Sequence, residues 1–130
     1  LNSLESKYDT SVFWCKDTSG PYTGKVTSTS LGTLYVDILE ILIIANIGAG
    51  LGYNVNIPVH IPCIQNTGGS YSPVVTYMRS GYYQNNNNGG FVDFQVVDNG
   101  DKIALHNAYL NGSDVASSVT WNIYYRYINK

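Results

Sequence analysis

Tyr71, Arg79, Tyr82, Tyr83 and the run Asn85, Asn86, Asn87 and Asn88 crowd into one stretch of this chain. A phenol ring can lie against the apolar face of a sugar and bond at its rim through the hydroxyl. An amide offers a donor and an acceptor side by side, and a guanidinium forks onto a phosphate or carboxylate substituent. These residue types hold a neutral polar ligand or an anionic derivative of one. His60, on the polar face of its segment beside Pro58, is a further candidate contact. The whole composition leans the same way, with 12 Tyr and 14 Asn against seven basic and nine acidic residues. Tyrosine also favours strands and asparagine favours turns, so composition by itself leaves a β protein without a ligand open.

Other chemistries find little support. His60 and His106 are the only histidines, there is no Gly-x-Ser-x-Gly elbow, and neither Cys15 nor Cys63 sits in a hydrolase context. Asp37, Glu40, Asp93, Asp98, Asp101 and Asp114 could supply a carboxylate pair for glycoside cleavage, but spacing selects none of them. Asp93 alternates with Val92 and Phe94 and is expected to point outward, while Asp98 and Asp101 flank an Asn-Gly turn. Asp98-Asn99-Gly100-Asp101 lacks the loop length and terminal glutamate of a calcium site, and no His or Cys cluster has zinc spacing. The reading is a binding domain rather than an enzyme, with no catalytic residue, metal or cofactor. A formal charge of −2 with scattered Lys and Arg argues against nucleic acid. The longest apolar run, Ile41 to Ala45, falls far short of the roughly 20 residues of a spanning helix, which argues against membrane insertion. Leu1 to Asp17 has neither the basic start nor the apolar centre of a secretion signal, and the missing initiator Met suggests a piece of a longer chain. Cys15 and Cys63 could pair, and free thiols are the preferred reading.

The elements that must position these residues are strands. Leu1, Leu4 and Tyr8 have the spacing of a coiled-coil seam, so residues 1–11 read as the end of a stalk or a linker. Residues 12–130 read as one β domain. Tyr53 to Ile61 alternates apolar and polar, and Pro58 and Pro62 place that strand at an edge or against another subunit. Clean alternation recurs at Val92 to Val96, Ile103 to Tyr109 and Val119 to Tyr127, with turns at Asn99-Gly100 and Asn111-Gly112. Shorter candidates are Phe13 to Lys16, Gly24 to Thr29, Thr33 to Ile38 and Val74 to Met78. Leu34 to Ile47 also carries a helical stripe, but its β-branched Ile residues favour a strand. The fold class is all-β, a Greek-key sandwich or jelly roll of about eight or nine strands with a short helical stalk remnant at the N-terminus. Tyr82 and Tyr83, adjacent in a strand, must face opposite ways.

The stalk-like start Leu1-Asn-Ser-Leu-Glu-Ser-Lys-Tyr8, followed at once by a β domain ending on Val119-Thr-Trp-Asn-Ile-Tyr-Tyr-Arg-Tyr127, resembles the C-terminal head of a tailed-phage receptor-binding protein, closest to those of phages infecting lactic acid bacteria and related Gram-positive hosts. The ending from Tyr109-Leu-Asn-Gly-Ser-Asp114 is similar to that of many such heads. The resemblance covers the whole chain as an arrangement, and no motif aligns residue by residue. It implies a homotrimer of β-sandwich heads at the tail tip of a virion assembled in the host cytoplasm, binding host cell-wall polysaccharide within or between subunits. The same arrangement resembles adenovirus fibre heads and the trimeric jelly rolls of the tumour-necrosis-factor/C1q type. A purely structural trimerisation domain and a glycan-cleaving enzyme are the competing functions.

Overall fold

Two antiparallel sheets packed face to face carry most of the chain described by the computed structural model, which comprises residues 12–32, 38–48, 54–65, 67–69, 71–73, 75–85 and 88–128. The expected stalk at residues 1–11 lies outside them. The strands are β1 (Val12–Lys16), β2 (Tyr22–Thr23), β3 (Ile38–Ile47), β4 (Val55–Gln65), β5 (Tyr71–Pro73), β6 (Tyr77–Asn85), β7 (Asn88–Val97), β8 (Lys102–Leu110), β9 (Ser113–Asp114) and β10 (Thr120–Ile128). One sheet runs β1-β10-β3-β4-β5, with β2 also paired to β10, and the other runs β6-β7-β8-β9. The order β10-β3-β4-β5 sets a late strand beside the first of a meander, the Greek-key relation, with the second sheet inserted before the return. The fold is an all-β sandwich. Its ten described strands exceed the eight or nine expected because β2 and β9 are two-residue pieces.

Period-two patterning decides which side chains meet between the sheets. Ile41, Ile43, Ala45 and Ile47 of β3, Ile57, Val59 and Ile61 of β4, and Trp121 and Ile123 of β10 face Val92 and Phe94 of β7 and Ile103, Leu105, Ala108 and Leu110 of β8. Each fully buried Ile contributes roughly 1.5–3 kcal/mol over its exposed state. That gain favours the strand reading of Ile38–Ile47, since an extended chain buries every second residue from Ile41 to Ile47. Leu39 is the extra residue of a bulge, because Arg126 faces Glu40 while Tyr127 faces Ile38.

Turn chemistry accounts for the connections and for two departures. Asn111 and Gly112 both take positive φ, 52° and 81°, closing β8 onto β9 as a two-residue primed turn. The Asn99-Gly100 hairpin is wider than expected: Asp98, Asn99 and Gly100 all have positive φ between β7 and β8. The strand expected over Gly24 to Thr29 is reduced to a single bridge, Thr27 to Ala104, because Gly24 at φ 72° turns the chain out of its extended path. Pro58 stands opposite Ile44 of β3, while the other edge of β4 is covered by β5 only at Cys63 to Gln65. The Pro58 carbonyl accepts the Ser80 hydroxyl at 2.8 Å.

Cys15 and Cys63 are free, on β1 and β4 with β10 and β3 between them. Burial, aided by the neighbouring Glu40 charge, pushes the Cys63 thiol up to about 12. A raised folded-state value keeps the proton on, so this thiol's contribution to stability is full below its ordinary value of 9.0 and is lost as pH rises toward 12. Cys63 is therefore expected to alkylate far more slowly at pH 8 than the same thiol in urea-unfolded protein, as read by mass spectrometry after iodoacetamide. Equal rates in the two states would contradict this environment.

Candidate functional site

The outer face of the four-stranded sheet is made of the residues the core does not take. On β6, Met78 and Tyr82 pack inward on the core, so Tyr77, Arg79, Gly81 and Tyr83 turn outward. On β7, Val92 and Phe94 are buried, leaving Phe91, Asp93 and Gln95 outward. On β8, Leu105, Ala108 and Leu110 are buried and Asn107 and Tyr109 face out. His106 is the extra residue of a bulge, because Asp93 pairs with Asn107 while Phe94 pairs with Leu105. Its ring meets that of Tyr77 at 4.9 Å, and Tyr77 in turn has its hydroxyl bonded by Gln95 Nε2 at 3.3 Å.

Register lines these residues up in two rows across the strands. The first runs Arg79, Asp93, Asn107, Lys25: Arg79 pairs with Asp93, Asp93 with Asn107, and Lys25 Nζ donates to Asn107 Oδ1 at 3.4 Å. The second runs Gly81, Phe91, Tyr109, Asp114, again by direct cross-strand pairing. Arg79 ties the rows together. Its guanidinium lies 3.8 Å from the Phe91 ring centroid while Nη2 stands 3.6 Å from Asp93 Oδ2. Phe91 and Tyr109 touch at 5.3 Å between centroids. A cavity lined by Lys25, Asp114, Ala116 and Ser117 joins the far ends of both rows.

Asp93 does point outward, yet it is only 6% exposed, because the outward rows close over it. At 3.6 Å its contact with Arg79 is an ion pair rather than a hydrogen bond, so the carboxylate keeps acceptor capacity for a ligand hydroxyl. With Arg79 itself well exposed, such a pair contributes only about 0–1 kcal/mol to folding. The arrangement is better suited to contact than to stability.

Precise backbone devices hold the face. A side chain at Gly90 would drive its Cβ to 1.9 Å from the Tyr109 carbonyl, so only glycine lets β7 approach β8 closely enough to set Phe91 against Tyr109. Lys25 is fixed through its neighbour: Gly24 donates its N–H to Val119 O at 2.9 Å, and the buried Trp121 indole donates to Gly24 O at 3.1 Å. Ser28 N–H to Ile103 O at 2.7 Å and Leu31 N–H to Asp101 O at 2.8 Å then stitch the following segment along β8.

The structure divides the residues expected from the sequence. Arg79 and Tyr83 share the face, and Tyr83 is 73% exposed. Asn85 and Asn88 pair at the hairpin end beyond Tyr83, whereas Asn86 and Asn87 lie outside the described residues. Tyr82 turns into the core and cannot serve as an exposed platform. Tyr71 lies on β5 in the other sheet, paired with Gln65. His60 is on the opposite side of the sandwich, where its Nε2 stands 3.1 Å from Glu40 Oε2. There Glu40 Oε1 lies 3.2 Å from Arg126 Nε, and the Arg126 guanidinium lies 5.7 Å from the Trp14 ring. A grouping of His60 and Tyr71 with Arg79 is therefore corrected. Missing from the sequence reading were Asp93, Phe91, Asn107, Tyr109 and Lys25 as partners of Arg79. Their alternation was visible, but their register was not.

A second cavity, lined by Ser72, Pro73, Val75, Thr76, Val96, Val97 and the Asp98 to Gly100 turn, has no aromatic ring or cation among the described residues of its wall. It offers less chemistry than the ring-bearing face. Among the described residues, no group of three or more His, Cys, Asp or Glu converges as a metal centre. Comparison of the chain with protein-family models, curated proteins and solved structures returns no match.

Proposed function

We propose that this domain is the receptor-binding head of a phage tail fibre or baseplate, an adhesin that recognises a host cell-wall saccharide and does not cleave it. The observation that supports it is the outer face of the four-stranded sheet, where the exposed Tyr77 and Tyr83 and the half-buried Phe91 and Tyr109 share a face with a covered carboxylate and an exposed guanidinium. Rings give stacking, and charged groups give strong bonds to hydroxyls, the two contacts a sugar needs. Assembly as a homotrimer belongs to the same reading, since linked weak sites gain avidity without new contacts.

The test is a printed saccharide array, neutral and anionic, probed with protein whose mass in solution has been measured by light scattering. The expected result is a trimer that binds a restricted set of saccharides and releases no reducing ends from them. Arg79→Ala should weaken that binding about tenfold with stability unchanged to within about 1 kcal/mol, because removing the guanidinium exposes Asp93 to water instead of stranding it. A stable trimer that binds nothing would favour a structural trimerisation domain, and released reducing ends would favour an enzyme.

A further inference from the structure

The two rows on the four-stranded sheet restrict the ligand's charge and length. We infer, resting on the saccharide reading above, that this face takes an uncharged oligosaccharide of about three residues laid across strands β6 to β9, its far end in the cavity beside Lys25 and Asp114. Charge comes first. Arg79 is paired with Asp93, and at the other end Lys25 shares a cavity with Asp114. A cation therefore stands beside a carboxylate at each end, so a phosphate or uronate would lose at the carboxylate what it gained at the cation. A hydroxyl has no such conflict, because it donates to Asp93 or Asp114 and accepts from Arg79 or Lys25.

Length follows from the strand count. The second row crosses from β6 through β7 and β8 to β9, about 14 Å at the usual interstrand spacing and the length of roughly three linked pyranose rings, and Lys25 of the first row shares a cavity with its end. The floor is continuous along that path. At Gly81 an added Cβ would meet nothing within 4 Å, leaving the near end open between Arg79 and Tyr83. Phe91 and Tyr109 then follow in contact, and the cavity lined by Lys25, Asp114, Ala116 and Ser117 closes the far end. A single sugar would cover one strand interval and leave the remaining groups unused.

The experiment starts from a printed array of neutral and of uronate- or phosphate-bearing saccharides, one to six residues long. Calorimetric titration of the best-binding series follows, with the parent and with Lys25→Ala, whose side chain is exposed and removable without loss of fold. Hits should be neutral, and affinity should rise about tenfold or more from one residue to three and then level off. Lys25→Ala should weaken the trisaccharide about fivefold or more, while raising salt from 50 to 500 mM should shift affinity by less than about twofold. The inference is overturned, with the saccharide reading intact, if one sugar binds as tightly as three, if Lys25→Ala leaves the trisaccharide unaffected, or if hits are confined to anionic probes. No binding to any probe by the folded protein overturns the saccharide reading itself.

Discussion

Trp121→Ala is expected to destabilise the domain by about 3–5 kcal/mol, the largest single loss among side chains outside the binding face. Trp121 is fully buried on β10, stacked on Tyr22 at 4.6 Å and edge-on to Phe94 of the opposite sheet at 5.1 Å. Removing it opens a cavity between the sheets and leaves the Gly24 carbonyl with the Val26 N–H as its remaining donor. Set against a total stability of about 5–15 kcal/mol, that loss unfolds much of the population in a marginal domain. Urea titration should show the midpoint falling steeply, with melting lowered on the order of 10–20 °C. Trp121→Phe keeps most of the volume but not the N–H, and should cost less, about 1–3 kcal/mol. Because Gly24 adjoins Lys25, this milder variant should also loosen the cavity end of the binding face.

Tyr82 and Tyr83 should separate stability from binding. Tyr82 packs against the core, so Tyr82→Ala is expected to lose about 2–3 kcal/mol of stability. Tyr83, at 73% exposure, supports little of the core, and Tyr83→Ala should melt within a few degrees of the parent while saccharide affinity drops by about 1–3 kcal/mol. Thermal melts and titrations on the same two proteins read both quantities. A stability loss confined to Tyr83→Ala, or unchanged saccharide affinity in Tyr83→Ala, would contradict the assigned faces.

That opposition of neighbouring tyrosines was legible in the sequence, because strand period two follows from backbone geometry alone. So were the all-β class, the strand at Ile38–Ile47 and the turn at Asn111-Gly112, each fixed by local chemistry. Which outward residues meet across strands was not legible. Arg79 reaches Asp93, and Asp93 reaches Asn107, only in a register that depends on bulges near Gln84 and His106. A bulge shifts every later pairing by one residue, and no local propensity announces it. The same limit misplaced His60: alternation showed that it points away from the core, but not which sheet's outer face it shares. Asp93 was read as outward, and its covering followed only once Arg79 was placed opposite.

Amide chemical-shift mapping during titration with the best saccharide from the array tests the central claim most directly. If the outer face of the four-stranded sheet is the binding surface, shifts should concentrate at Arg79, Phe91, Asp93, Asn107, Tyr109 and Lys25, with Trp14, Glu40, His60 and Arg126 on the opposite face unmoved. Shifts concentrated at Trp14, Glu40, His60 and Arg126, with the Arg79 to Lys25 row silent, would contradict it.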